Sequence, residues 1–541
     1  MKESFKNRII KLRFIHIITT AIILLIAACA QRVPLSGGSK DVAAPIVKKE
    51  TPVNQSTNFI EKTIEVQFDE FVKLDNLQSQ LIVSPLMDEE PQVVLRGKKM
   101  MIKIASELKP NTTYSINFGD AIKDITEGNI YPNYKYVFST GVFIDSLSYS
   151  GVVVNSFSLQ AQNGFFVMLY DELEDSIPLT QRPRYITKTN KEGAFTITNI
   201  AQGTYKLFAL KDVNSNYLFD LPNEEIGFYS ESIQIDSSST NHLINIFTED
   251  KELQYVSSSS NPKYGKIEVE MNREADNISI KPLGDEKILL EEINDNKNQR
   301  VVWLQHPIAE KESSFVIYEN SNPIDTLKVD LITDNDFNDS VLVVTTNVKP
   351  NFELNQFIQL TFDNPLKKKE LSKIKLLEDS NQVTFKFLQD SLNSRMYYLQ
   401  YPLKEKTNYD LYIEPGVFEG IYGLKNDTIH QTFRTKRLSD YGNLVLKIQP
   451  NFIDNYIVQL FLKDNLIKEE YGLGNASFTY NYLLPGEYKV KLMIDNNRNK
   501  KWDTGNYMEG LQPEKVLFYE GVITIQENWD NAIDWKIEDL H

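Results

Sequence analysis

Two stretches of the chain carry side-chain oxygens at a spacing that suits a cation. Each reads Asp-x-Asn-x-Asn-x-x-x-Asp: Asp212, Asn214, Asn216 and Asp220 in one, and Asp495, Asn497, Asn499 and Asp503 in the other. Calcium takes about six to eight oxygen ligands, and alternate residues of a tight loop point inward to supply them. The backbone carbonyl of Leu218 or Lys501 and a carboxylate from Glu224, Glu225 or Glu509 would add to that shell. The same residue types serve a second purpose, because Asp and Asn at a hairpin tip cap their own backbone N–H groups. Calcium site and self-capped tip both stand on the sequence. Other reactive constellations are missing. His16, His242, His306, His430 and His541 are far apart, none at metal-ligand spacing. There is no Gly-x-Ser-x-Gly elbow and no phosphate-cradling loop. The expectation is a protein without catalytic residues, not an enzyme. Its rival is an acid–base enzyme, since the pairing of 74 acids is decided in space.

A third reactive position is Cys29, the one cysteine of the chain, which excludes an internal disulfide. It follows a basic start (Lys2, Lys6, Arg8, Lys11, Arg13) and an apolar run ending Ala21-Ile22-Ile23-Leu24-Leu25-Ile26. That is a secretory signal pattern, and the run is shorter than the ~20 residues of a spanning helix. Ile26-Ala27-Ala28-Cys29 resembles the bacterial lipobox. The resemblance implies cleavage before Cys29, a signal peptide over 1–28, and acylation of the cysteine as a lipid anchor. Ala30 stands where Asp would imply inner-membrane retention, so the resemblance points to the outer membrane, and the run Ala30-Gln31-Arg32-Val33 favours the periplasmic face. Residues 29–50, rich in Pro, Gly and Ser near their start, read as a flexible tether.

The Asp/Asn loops depart from the EF-hand: Tyr217 or Lys500 stands where that loop needs Gly, and Asn223 or Asn506 where it needs Glu. With two Asp and two Asn each, calcium affinity would fall in the range of about 10⁻⁴–10⁻³ M. Both loops follow alternating apolar segments, Tyr205-Lys206-Leu207 and Tyr488-Lys489-Val490-Lys491-Leu492, so they sit on strands. They form part of a repeat at an offset of 283 that also matches Gly203 with Gly486. With Gly193-Ala194-Phe195-Thr196-Ile197 upstream, the pattern resembles the transthyretin-like, carboxypeptidase-regulatory-like β-sandwich family, whose members are accessory domains.

A second repeat aligns Leu108, Tyr114, Phe138 and Thr140 with Leu403, Tyr409, Phe433 and Thr435 at an offset of 295. Upstream, Ile64-Glu65-Val66-Gln67-Phe68-Asp69 matches Ile358-Gln359-Leu360-Thr361-Phe362-Asp363 at 294. Ile64, Val66 and Phe68 alternate with polar residues, as a half-buried strand does. Val66-Gln67-Phe68-Asp69, Leu108–Tyr114 and Tyr136-Val137-Phe138-Ser139-Thr140 resemble the bacterial Ig-like domains of surface-layer proteins. The two repeats occur in the same order twice, which implies duplication of a two-domain unit.

The chain therefore reads as all-β, a multi-domain string of sandwiches: Ig-like 51–141, transthyretin-like 142–247, a middle β-domain 248–335, Ig-like 336–436 and transthyretin-like 437–541. Leu366–Asp379 alone has some helical potential, from Lys and Leu, and its counterpart in the first copy has none. The composition agrees. Of 541 residues 41 % are hydrophobic, with 27 Tyr and 29 Phe, enough for several cores. The net charge of −16 becomes about −20 once the basic leader is removed, which repels nucleic acid. Trp303, Trp502, Trp529 and Trp535 are candidates for a sugar-stacking face, although such residues more often pack cores, and Trp529 and Trp535 are expected to seal the last sandwich. The functional expectation is a non-catalytic envelope scaffold whose partners are the membrane, through its lipid, and an envelope protein or glycan. The alternatives are a glycan-binding lipoprotein for nutrient uptake and a calcium-dependent assembly factor.

Overall fold

The computed structural model describes residues 41–250, 253–274, 277–293, 297–451 and 454–538. Cys29, His16, His541, the signal segment and the first part of the tether lie outside the described residues. The chain divides into two compact units, one reaching to Ser146 and including Asn199–Ala201, the other holding Leu147–Thr198 and everything from Gln202. Both are built from strands, and the two α-helices among the described residues, Leu77–Gln80 and Ile177–Thr180, are single turns.

In the first unit, Val47–Thr51, Thr63–Phe68, Lys99–Lys103 and Gln92–Arg96 form one sheet in that order. Ile82–Ser84, Thr113–Asn117 and Lys135–Ser139 form the facing sheet. The alternation seen in the sequence is realised: Ile64, Val66 and Phe68 are buried against Met100, Ile102, Tyr114, Ile116 and Phe138. Burying each such side chain contributes about 1.5–3 kcal/mol. Val47 joins this core, so residues 47–50 are a paired strand and not tether. The pairing explains why: Ile46 N–H donates to Asp69 Oδ1 at 2.7 Å, and Asp69 N–H returns a bond to Ile46 O.

The second copy, in the other unit, repeats these elements in the same order. Val344–Thr346, Ile358–Phe362, Met396–Gln400 and Lys386–Gln389 make its first sheet, and Asn408–Ile413 with Ile429–Thr435 lies in its second. Asp363 again receives the N–H of the partner strand, Val343, at 3.2 Å. Leu366–Asp379 is not helical. It holds strands Leu366–Lys369 and Ile374–Glu378 around a 3-10 turn at Leu371–Lys373, because Ile374 and Leu376 must alternate into the core. Its counterpart in the first copy is where the α-turn Leu77–Gln80 occurs.

The repeated Tyr–Phe–Thr set has a single physical cause, while Leu108 and Leu403 pack on the edge of their cores. Tyr114 and Tyr409 are buried, and each hydroxyl accepts a backbone N–H five residues upstream, from Lys109 and Lys404, at 2.9 Å. Such a tyrosine pins the corner between strands. The ring stacks on Phe138 or Phe433 at 5.4 and 5.2 Å. Thr140 and Thr435 accept N–H bonds from Thr112 and Thr407, both at 3.0 Å, and donate to the carbonyls of Lys109 and Lys404.

The middle domain sets Val256–Lys263, Lys266–Met271, Gln299–Leu304 and Ile288–Ile293 against Ile278–Pro282, Glu312–Glu319 and Asn322–Asp330. The Ser257–Pro262 run is thus an edge strand. This domain packs on the second Ig-like copy. Tyr422 donates to Leu304 O at 2.8 Å, Arg395 Nε meets Glu292 at 3.0 Å, and Lys263 meets Asp363 at 2.9 Å. Gly265, at φ +70°, is required there: a Cβ would lie 2.0 Å from the Tyr422 hydroxyl.

The two looped sandwiches also match strand for strand. Leu147–Asn155 runs parallel to Ser239–Thr248 beside Ala194–Ile200, and Gly442–Pro450 runs parallel to Asp530–Ile537 beside Ala476–Leu483. Phe166–Tyr170 lies between Tyr185–Lys188 and Gly203–Leu210, and Asn455–Leu462 between Asn465–Leu473 and Gly486–Asp495; in the first copy Glu225–Phe228 also pairs with Ser239–Thr248 and joins its strands into one sheet, whereas in the second the two sheets stay separate. Duplication therefore extends to topology.

Candidate functional site

Each Asp/Asn loop leaves the end of a long buried strand, Gly203–Leu210 or Gly486–Asp495, and returns into a short one, Glu225–Phe228 or Val516–Phe518. The opening aspartate is spent on its own backbone. Asp212 Oδ1 accepts the N–H of Ser215 at 2.6 Å, and Oδ2 that of Tyr217 at 2.8 Å. Asp495 accepts those of Asn499 and Lys500 at 3.0 and 3.1 Å. Ser215, Tyr217, Arg498 and Lys500 have positive φ, a curl these bonds stabilise.

The closing aspartate gathers the two asparagines. Asn214 and Asn216 donate their amides to Asp220 at 3.1 and 2.8 Å, and Asn497 and Asn499 donate to Asp503 at 2.6 and 2.8 Å. All eight predicted residues are therefore brought together, four per loop, in one repeated network. Among the described residues, no three His, Cys, Asp or Glu side chains converge as metal ligands would.

The sequence reading missed how each loop is rooted. Glu224 is completely buried and accepts three backbone N–H groups, from Val213 at 3.1 Å, Asp220 at 3.0 Å and Leu221 at 3.1 Å. Its counterpart is Glu514, which accepts from Asn496 at 2.6 Å and Asp503 at 3.1 Å. Burial pushes the Glu514 carboxyl up, and those N–H donors pull it back. Glu509, offered as a ligand, donates its own N–H to Asn506 at the far turn and stays exposed. The signal for Glu514 was present, a Glu just before the returning strand in both copies. It was hidden because Glu224 follows Asp220 by four positions and Glu514 follows Asp503 by eleven.

The seven extra residues of the second copy form a small hairpin bridged between Asn506 and Leu511. It reaches the first looped sandwich, where Tyr507 packs against Phe208, Phe219 and Phe228 at ring-centroid distances of 5.4, 6.5 and 4.9 Å. Beside it, Phe157 of the first sandwich packs on Trp502 at 4.9 Å and lies 2.9 Å from the Lys491 ammonium. Burial lowers the Lys491 pKa to about 8.

The tryptophans do not gather into a face. Trp303 is fully buried, Trp502 donates its indole N–H to Glu514 O at 2.7 Å, and Trp535 packs on the last core. Trp529 is 60 % exposed and so does not seal that core, because it sits in the turn preceding the final strand. The described histidines are equally dispersed: His242 stacks on Tyr149, His306 meets Tyr264, and His430 pairs with Asp410.

Residues 41–140 match the bacterial Ig-like domain family. No curated protein matches the chain. Similar solved structures include native alpha-2-macroglobulin of Escherichia coli spanning domains MG0-NIE-MG1 (10 % identity, 35 % of this chain, 97 % of that one, TM-score 0.17). Others are BcpA, the major pilin subunit of Bacillus cereus (10 %, 73 % and 99 %, 0.14), and domains 1–6 of surface layer protein SbsC (9 %, 90 % and 67 %, 0.17). Superpositions at this level carry no argument about activity.

Proposed function

We propose that the chain is a non-catalytic scaffold of the cell envelope, anchored by lipid at Cys29 to the outer membrane on its periplasmic face, whose β-sandwiches contact an envelope protein. The observation that carries this reading is what duplication retained. Asp69 and Asp363, Tyr114 and Tyr409, Thr140 and Thr435, Asp212 and Asp495, and Glu224 and Glu514 all close on backbone groups of their own domains. Repetition kept architecture, and such residues build a platform. The Ig-like match over 41–140 and the transthyretin-like pattern of the looped sandwiches support the same reading.

The anchor is tested by metabolic labelling with a radiolabelled fatty acid. Wild type takes up label and fractionates with outer membrane, and Cys29→Ser does neither; a Cys29→Ser chain that still fractionates with outer membrane overturns the anchor. Protease added to intact cells leaves a periplasm-facing chain whole. Affinity purification of the lipidated protein identifies the partner. Retention on polysaccharide beads would shift the reading to the glycan-binding alternative.

A second reading, calcium at the loops, is favoured by one feature, the convergence of the four side chains in both copies. In both copies two asparagine amides face the closing aspartate; a calcium ion there would have to turn them over, displacing the backbone N–H bonds that the oxygens of Asn216, Asn497 and Asn499 accept from Leu218, Asn499 and Lys501. On this reading millimolar calcium raises the melting temperature of wild type and not of the Asp220→Ala/Asp503→Ala double variant. Equal melting with and without the ion removes it.

A further inference from the structure

The two looped sandwiches meet through equivalent positions. Phe208 and Lys491 hold the same place on the long strand, Phe219 and Trp502 the same place in the loop, and Phe228 and Phe518 the same place on the returning strand once the seven-residue insertion is allowed for. Each trio receives an aromatic ring from the other sandwich. Tyr507 enters the first trio, and Phe157 covers the second, 4.9 Å from the Trp502 ring and over Lys491. The receiving residues are thus equivalent, whereas the entering rings are not: Tyr507 belongs to the insertion and Phe157 to the turn after Leu147–Asn155.

We propose that this face is a self-recognition surface of the looped sandwich, whose partner is the duplicate sandwich of the same chain, and that the insertion after Asp503 is the latch that holds the pair closed. The latch is built for a folded partner. Tyr507 N–H donates to the buried Glu249, the Tyr507 hydroxyl to Asp175 O at 2.5 Å, Thr504 to Thr248 O at 2.6 Å and Gln512 to Phe228 O at 2.9 Å. Three of these four bonds end on main-chain carbonyls, so the latch reads backbone geometry together with an aromatic socket. Gly505 permits the approach, since a Cβ there would lie 2.5 Å from the Phe247 ring. Closure ties Glu249 to Tyr507 and so brackets the middle domain and the second Ig-like copy, which cannot then be drawn out in line. The inference does not depend on the lipid anchor or on any envelope partner.

The test uses the full chain, small-angle X-ray scattering and hydrogen exchange. In one variant, deletion of Gly505–Leu511 restores the four-position spacing between Asp503 and Glu514 that the first copy already folds with. In the second, Tyr507→Asp places a charge in the socket. Both are expected to enlarge the radius of gyration, and Tyr507→Asp to speed exchange across 504–512 and 156–160 by about tenfold or more, while the core strands stay protected. Tyr507→Phe, which keeps the ring, is expected to stay closed. Unchanged scattering in the deletion variant, with its core strands still protected, overturns the latch, as does exchange across 504–512 in wild type as fast as in Tyr507→Asp. If Tyr507→Asp alone loses core protection, the deletion variant decides.

Discussion

The two looped sandwiches share eight strands, a self-capped Asp/Asn tip and a glutamate clamp, and they differ in the chain between the closing aspartate and that clamp. In the first copy the gap is short and the tip serves its own hairpin. In the second it is longer by seven residues, and those residues reach another domain. The comparison teaches where such a fold tolerates addition. Because Glu224 or Glu514 fixes the root of the loop from inside, the chain between root and tip is free to grow without unseating the strands.

The comparison can be sharpened first at the clamp. Glu224→Ala leaves three backbone N–H groups without their acceptor and is expected to destabilise the first looped sandwich by about 2–4 kcal/mol. Glu514→Ala strands two and should cost less. The two are read by hydrogen exchange localised to each sandwich, because a multi-domain chain has no single unfolding transition. Equal losses would show that the clamps are not graded by their bonds.

Next comes the asymmetry at Phe208 and Lys491. Burial lowers the Lys491 pKa to about 8 from the 10.5 of a free lysine, and where Phe157 supplies that burial the docked form binds fewer protons than the open form. Docking should therefore strengthen as pH rises from 8 to 10.5 and be flat below 8. Lys491→Met removes this slope. At pH 7 it is expected to strengthen docking, because no charge is then buried against Phe157. A slope that persists in Lys491→Met assigns the titration to another group. The smallest effect is expected in the Ig-like pair: Tyr114→Phe and Tyr409→Phe should each cost about 1 kcal/mol in their own domain, by removing the corner bond. No loss in either would sever the repeat from the corner.

The sequence carried the fold class far. Period-two alternation at Ile64, Val66 and Phe68 became a buried strand face, and constant offsets became matching topologies. It carried the grouping of the loop residues as well, since the four side chains of each converge. It failed at Leu366–Asp379, where Lys and Leu favour helix locally and burial of Ile374 and Leu376 prevails. It also failed at Trp529, whose residue type suggests burial while its turn leaves it in solvent.

By itself, then, the sequence determined periodicity, duplication and which side chains each loop brings together, because these depend on neighbours a few residues apart. Only the tertiary structure decided that Glu514 answers to Glu224 and that Tyr507 belongs to a socket formed by Phe208 and Phe228. A hydrogen bond or ring contact across hundreds of residues leaves no local period in the chain. Which surfaces meet is set by their complementary shape and polarity once the cores have formed.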